Sequence, residues 1–438
     1  MGLMRYILNL RRLRFVQDVF TIQLGTSLFM LAGFLASIAY ARFLGKEQYG
    51  FYAVVLAFAG TVGAFFNIGQ GQSLYVFFSE AWNRKDKSAM AAVIANYVQI
   101  GIVNMFALGV LCVLMPMLSQ HLYHDPTIGN LARIYCVFQM TEIWNGMSLI
   151  MLQSLRKIRL KVWLEQSANL LTLGSAVTVL ALGGGVRGML LTQLAVGLIA
   201  IPVFLLCVRS HVRETLFPSI RDVLHTPFRQ SVTYLKEGLL IIADKMIYNF
   251  FPQGIFFILS LFVRPKVIGM LRIALQIANI PRTILLPQAG DLSTVAFAKM
   301  KTESVTVIRK NAARLIKHGL ALHALLTAGA AALAPFVILK LYGVEFADAI
   351  MPTEWLLLIL LITSLHLTSS PLMRLYRKLP LSIAIGLLNW ICMIAVLFVM
   401  LQWTNGIVAF LSVYLVFELV PLLLPVYIYG ILLPKEQA

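Results

Sequence analysis

The chain has 438 residues, 60% of them hydrophobic and 12% charged, and its mean hydropathy is +0.84. Soluble domains average about 25% charged residues, so the composition excludes a protein solvated mainly by water. A net charge of +18 would point to nucleic acid in a soluble protein; in a lipid-solvated chain the positions of the charges carry the meaning, and nucleic acid is not an expected partner.

Residues 1–19 read as a cytoplasmic amphipathic N-terminus, in which Leu3, Met4, Ile7 and Leu8 stand against Arg5, Arg11, Arg12 and Arg14. The apolar stretch that follows has no small-residue cleavage site and reads as an uncleaved first membrane helix. Windows of about 20 apolar residues place twelve spans near 20–40, 50–70, 91–117, 131–153, 164–184, 188–208, 237–262, 268–290, 313–339, 354–373, 381–402 and 407–430. Six spans make an N-lobe over 20–208 and six a C-lobe over 233–430, with a cytoplasmic tail at 431–438. Between the lobes, the linker 209–232 sets Leu216, Phe217, Ile220, Val223 and Leu224 opposite Glu214, Arg221 and Asp222, an amphipathic helix on the inner membrane surface. The predicted fold is therefore an all-α integral membrane protein of twelve helices in two six-helix lobes.

Lysine and arginine orient it. Of 36 such residues, 26 fall on the N-terminus, the even-numbered connections and the C-terminus, and 7 on the other side. Three, Lys245, Arg272 and Arg282, remain inside spans. The positive-inside rule then puts both termini in the cytoplasm. Outer connections stay within about a dozen residues, which leaves no room for an external catalytic domain.

A weak internal repeat supports two lobes. LGKEQYGFYAVVLAFAG (44–60) overlays VRPKVIGMLRIALQIAN (263–279) with Gly50 on Gly269. An even number of spans per half predicts parallel repeats related by a pseudo-two-fold along the membrane normal, with substrate held near mid-membrane. On this overlay Ala53 and Gly63 correspond to Arg272 and Arg282, so positive charge was placed in one half only.

The eighth span, Ile268–Ser293, organises the reading. Arg272, Gln276, Asn279 and Arg282 lie within about a third of the circumference of one helix. An arginine near the bilayer centre costs about 2.5–3.5 kcal/mol on insertion scales. Two on one face imply water, protein partners or an anion beside them. One reading is structural, with both guanidinium groups paired to carbonyls or acids of the bundle. The other is a cavity for a phosphate-bearing substrate, since a planar guanidinium fork matches phosphate oxygens two at a time. Pro281 removes a backbone donor and predicts a kink beside Arg282.

Lys245 on the seventh span joins the substrate-binding set of Arg272, Arg282, Gln276 and Asn279, with pairing to Asp244 or Glu237 as its alternative. Asp244 and Glu142 are candidate couplers of H+ or Na+, or counter-ions to the arginines. Glu418 could serve either purpose. Gln23, Asn96, Gln99, Gln139, Asn145, Asn169 and Gln193 offer partners for sugar hydroxyls or for neighbouring helices. His121, His124 and Asp125 share one outer loop but lack a fourth ligand, so no metal is expected. The four cysteines, Cys112, Cys136, Cys207 and Cys392, all lie in apolar segments and read as small hydrophobes. No Walker-type phosphate loop is present, so no nucleotide cofactor is expected.

The run ARFLGKEQYGFYAVVLAFAGTVGAFFNIGQGQS (41–73) resembles the signature of Wzx-type polysaccharide flippases, in the multidrug/oligosaccharidyl-lipid/polysaccharide exporter superfamily. The matching residues are Arg42, Leu44, Gly45, Tyr49, Gly50 and Tyr52, then Asn67 and Gly69. Asp244-Lys245 is similar to the Asp-Arg/Lys pair of that family's seventh helix; the segment after it, from Arg264, lacks the family's aromatic positions. The resemblance implies translocation of an undecaprenyl-diphosphate-linked glycan from the inner to the outer leaflet of a bacterial inner membrane, for O-antigen, capsule or exopolysaccharide synthesis. Expected partners are membrane lipids, a polysaccharide polymerase and chain-length proteins; the charge of such a passenger suggests a drive from the membrane potential, and the intramembrane acids one from H+ or Na+. Two other functions stay open: an organic-cation or drug exporter of the same superfamily, and a membrane glycosyltransferase or ligase.

Overall fold

The structure, a computed structural model, describes residues 14–66, 70–211, 223, 226–227, 250–251, 253–299, 305–376 and 378–433. Most of the linker 209–232, the amphipathic segment before residue 14, Asn67, Asp244 and Lys245 lie outside the described residues. Those described are helical, without a strand. In order the helices are α1 (Arg14–Phe66), α2 (Gln70–Asn83), α3 (Lys87–Tyr123), α4 (Pro126–Ser154), α5 (Ile158–Ala181), α6 (Gly185–His211) and α7 (Pro265–Lys299). Then come α8 (Val305–Phe336), α9 (Ile350–Leu360), α10 (Ser369–Leu375), α11 (Leu379–Trp403), α12 (Gly406–Leu419) and α13 (Leu423–Tyr427). Seven segments of the described chain are long and apolar enough to cross a membrane. It is a multi-pass membrane protein.

The chain divides into two compact units. The first holds Met1–Leu44 and Val55–Gly254, the second Gly45–Val54 and Ile255–Ala438. The first two predicted spans lie on one long helix, α1, broken at Gly45, whose φ of 68° is open to glycine and strained for other residues. Beyond that break Gly50 meets α7 backbone to backbone. A Cβ on Gly50 would run into the Pro265 carbonyl oxygen, and one on Gly269 would lie 2.8 Å from the Gly50 Cα. The two glycines that overlay in the repeat thus touch one another inside the second unit. Tyr49, 4% exposed, stands edge-on to the ring of Phe346 at 6.1 Å. Lys46 Nζ reaches Asp348 Oδ2 at 2.8 Å.

Helix starts follow local chemistry. Asp86 accepts from the Ser88 and Ala89 N–H groups at 3.0 Å each and caps α3. The Ala89 N–H, followed by the Ser88 hydroxyl, holds the Asp86 carboxyl below its ordinary pKa. Asp125, set aside above as a metal ligand, caps α4 through the Thr127 N–H at 2.8 Å. Asn405 does the same for α12 with the N–H groups of Ile407 and Val408.

Prolines leave carbonyls that need other partners. Pro116 inside α3 has no N–H to offer the Cys112 carbonyl. Arg133 of α4 supplies the missing donor, its Nε 2.8 Å from Cys112 O and its Nη2 3.0 Å from Val113 O. Arg133 therefore repairs a broken ladder in an apolar span, where an orphaned carbonyl is costly.

Two spans of the second unit are interrupted rather than continuous. Between α9 and α10 the chain tightens into a 3-10 turn, Leu361–His366. After α12 it tightens again at Val420–Leu422, where Pro421 sits, and widens into a π-turn at Ile428–Leu432. Irregular backbone at membrane depth is tolerated where it lies within protein or lines a cavity. The cores are medium and large side chains, mostly aliphatic or sulfur-bearing with two aromatic rings: Leu74, Phe78, Met90, Tyr97 and Met151 in the first unit, Ile308, Leu372, Met373 and Ile428 in the second. In lipid their value is close dispersion contact.

Candidate functional site

In the second unit α7 runs unbroken through Pro281, with Leu271, Ile273 and Ala274 completely buried around Arg272. Gln276, Asn279 and both arginines are half-buried along the face expected of them. The Arg272 guanidinium stands over the Phe256 ring, 5.1 Å from its centroid. Phe256 lies 5.1 Å from Phe410, and Phe410 4.7 Å from Tyr414. Aromatic faces stabilise a cation where water is scarce. Tyr414 is within electrostatic reach of Arg272, Arg282 and Glu418, which joins the two arginines into one charged neighbourhood.

Glu418 is the acid of that neighbourhood, only 1% exposed and one helical turn beyond Tyr414 on α12. Its Oε2 accepts from the Thr363 hydroxyl at 2.7 Å and meets His366 Nε2 at 3.2 Å. Both partners come from the 3-10 turn Leu361–His366. Its Oε1 takes no hydrogen bond; Arg282 Nη1 stands 3.5 Å away, an ion pair without a hydrogen bond. The Arg282 side chain stays 31% exposed. Beside this group His323 of α8, 1% exposed, places Nδ1 2.7 Å from the Ser364 hydroxyl, on the same turn.

Glu418, open in the sequence between coupling and counter-ion, sits as the counter-ion of Arg282. Thr363, Ser364, His366 and His323 are absent from the set that the sequence singles out. Their signal there is faint, single polar residues within otherwise apolar spans.

The other predicted residues lie elsewhere. Glu142 belongs to the first unit, where it lines a pocket with Glu165, Asn145, Asn169 and Thr172. Arg42 is exposed just before the Gly45 break, and Tyr49, Gly50 and Tyr52 are buried just after it. The motif residues Gly45 and Gly50 therefore shape backbone. Among the neutral amides, Asn145 joins α4 to α6 by donating to the Gly197 carbonyl at 3.2 Å. Gln23 donates to Ser27 at 3.2 Å on its own helix.

Chemically, the second-unit cluster offers, among the described residues, two guanidinium groups against one carboxylate that is shared with a hydroxyl and an imidazole. Such a centre favours an anion with several oxygens.

The chain is similar in fold to solved membrane transporters. An inward-facing multidrug resistance MATE family transporter of the MOP superfamily aligns with a TM-score of 0.72 at 15% identity, over 91% of this chain and 92% of that one. A MATE protein in its straight conformation gives 0.62 at 15%, over 94% of each chain. A MOP-superfamily transporter from Pyrococcus furiosus, reported with a binding pocket of reverse polarity, gives 0.52 at 14%, over 94% of each. No curated protein matches the chain. The model of the polysaccharide biosynthesis protein family matches residues 15–292, well over half the length. By that match, which bears out the resemblance read from residues 41–73, the chain belongs to the polysaccharide biosynthesis protein family, with the fold of the MOP-superfamily transporters.

Proposed function

We propose that the protein is a flippase for an oligosaccharide linked through diphosphate to undecaprenol, carrying it from the inner to the outer leaflet of a bacterial inner membrane. Twelve spans in two six-helix lobes would expose the passenger alternately to each side, with both termini cytoplasmic. The observation that carries this reading is the loosely held Arg282. Its carboxylate partner is 3.5 Å away and hydrogen-bonded to other groups. A diphosphate can engage the Arg282 fork without dismantling the Glu418 site. Arg272, Gln276, Asn279 and, by sequence, Lys245 complete the set that receives the headgroup.

Two arginines suit an anion better than an organic cation, for which acids and aromatic faces would serve. This favours the flippase over a drug exporter. A glycosyltransferase or ligase would need acid/base groups at a membrane mouth, and the described centre instead pairs its acid with arginine. The drive can be electrical: one charge crossing the potential is worth about 2.3 kcal/mol per 100 mV, so a departing dianion gains about 4.6 kcal/mol.

The test is reconstitution of the purified protein in vesicles with a fluorescent undecaprenyl-diphosphate oligosaccharide. The expected result is movement between leaflets with an unchanged covalent structure, faster under an interior-negative potential when the lipid starts inside. A changed glycan, or transport of organic cations without the lipid, would overturn the reading.

A further inference from the structure

The interrupted span of the second unit has a chemical use. Between α9 and α10 the 3-10 turn Leu361–His366 stands in place of α-helix, and no proline or glycine within it forces the change. A 3-10 turn takes three residues, so side chains at i and i+3 stand one above the other. One such row is Thr363 and His366, and both reach the same atom, Glu418 Oε2, at 2.7 and 3.2 Å. The next row is Ser364 and Leu367, where the Leu367 N–H meets Ser364 O at 3.5 Å. That row faces α8. Ser364 Oγ lies 2.7 Å from His323 Nδ1, and a Cβ on Gly319, one turn earlier on α8, would come within 3.1 Å of Leu367. An α-helix turns about 100° per residue, which would swing His366 about 60° away from Thr363. The tighter turn aims two polar side chains at one oxygen.

That placement decides what Arg282 receives. A carboxylate that takes an arginine fork bidentately must turn both oxygens into the guanidinium plane. With Oε2 drawn to the turn, Glu418 leaves only Oε1 on the Arg282 side, 3.5 Å from Nη1 and without a hydrogen bond. Arg282 thus has its charge balanced while its donors are not spent on Glu418, and its side chain is 31% exposed. Glu418 is 1% exposed, so a partner lost at Oε2 is replaced from the protein rather than from solvent, and Arg282 is the cation beside it.

We propose that Thr363 and His366 are positioning residues: by holding Glu418 Oε2 they keep the Arg282 fork open to a diphosphate-bearing ligand. The ligand rests on the flippase reading above; the hold on Glu418 does not. The test is a double-mutant cycle between Arg282→Gln and Glu418→Gln, read from the unfolding equilibrium of the full chain in mixed micelles. It is run in the wild-type background and again with Thr363→Val. Released from the hydroxyl, the carboxylate turns to Arg282, and the coupling should grow about tenfold or more, the worth of one charge-assisted hydrogen bond. Thr363→Ser, which keeps the hydroxyl, should leave the coupling as in wild type. So should Ser364→Ala, which loosens the turn only on its α8 side. Equal coupling in the Thr363→Val and wild-type backgrounds, or the same rise with Ser364→Ala, would overturn the proposal. Should Thr363→Val fail to fold, His366→Leu takes its place with the same outcomes. A parallel measurement addresses the ligand, with farnesyl diphosphate as the probe and the chain in lipid nanodiscs. Thr363→Val should bind it about tenfold more weakly than wild type, and equally tight binding by the two would overturn the proposal. A raised coupling in a protein whose wild type binds no farnesyl diphosphate would keep the hold on Glu418 and remove the diphosphate passenger.

Discussion

In the first unit the polar groups that line a pocket are carboxylates and amides, Glu142, Glu165 and Asn145, set on continuous helices, with Lys161 paired to Glu165. In the second, Arg282 and His366 stand beside one buried carboxylate, Glu418, at an interrupted span, and Arg272 stands over the Phe256 ring. The polar clusters of the two units thus differ in charge balance: acids outnumber the one paired lysine in the first, and arginines outnumber the one acid in the second. Gly63 makes the point residue by residue. It overlays Arg282 in the repeat, yet a Cβ there would collide with the Gln139 amide. One half uses the position for close helix packing and the other for charge.

The contrast can be broken most severely at the backbone contact of the second unit. Gly50→Val should lower stability by about 3 kcal/mol, since its Cβ would press on the Pro265 carbonyl rather than on a flexible side chain. Gly109→Ala in the first unit, where a Cβ meets nothing within 4 Å, should instead be neutral or stabilising by about 0.5–1 kcal/mol. Thermal unfolding in detergent compares them, and equal losses would remove the distinction. Next in size, Glu418→Gln should cost about 1–3 kcal/mol through its Thr363 and His366 contacts and the loss of the Arg282 counter-charge. Glu142→Gln, at an exposed side chain, should cost less than about 0.5 kcal/mol.

A smaller effect tests how prolines are accommodated. Arg133→Met should cost about 1–2 kcal/mol by stranding the Cys112 carbonyl. In a Pro116→Ala background, where the helix regains its own donor, the same change should cost less, and a double-mutant cycle reads the difference. Smallest of all is the cap of α3. The Asp86 carboxyl has a lowered pKa in the folded chain, so its stabilisation is present above the unfolded carboxylate value of about 4 and is lost as pH falls through the folded value. Melting curves of wild type and Asp86→Ala should converge at acid pH and separate above it.

Much of the helical layout was legible because lipid imposes a length of about 20 apolar residues on each span. Gly45 and Gly50 were legible as motif, and the structure supplies their reason in backbone geometry. The α7 face was legible because arginine is expensive in an apolar helix. What could not be read was partnership. Nothing in the spacing of Thr363, His366 and Glu418 reveals that a 3-10 turn without a proline brings them together. Nor does the sequence show that Asn145 spends its nitrogen on two acceptors and leaves its oxygen unmet. These facts depend on how helices distant in sequence pack.

The most direct measurement replaces Arg272 and Arg282 together by Gln and scores lipid-linked glycan in the outer leaflet, with protein level in the membrane as control. The account predicts normal protein and an export rate reduced by at least about a hundredfold, since two lost charge-assisted contacts at roughly 1.5–3 kcal/mol each amount to about two to four powers of ten. Export at the wild-type rate by well-expressed double variants would mean that the guanidinium groups serve the bundle and not the passenger.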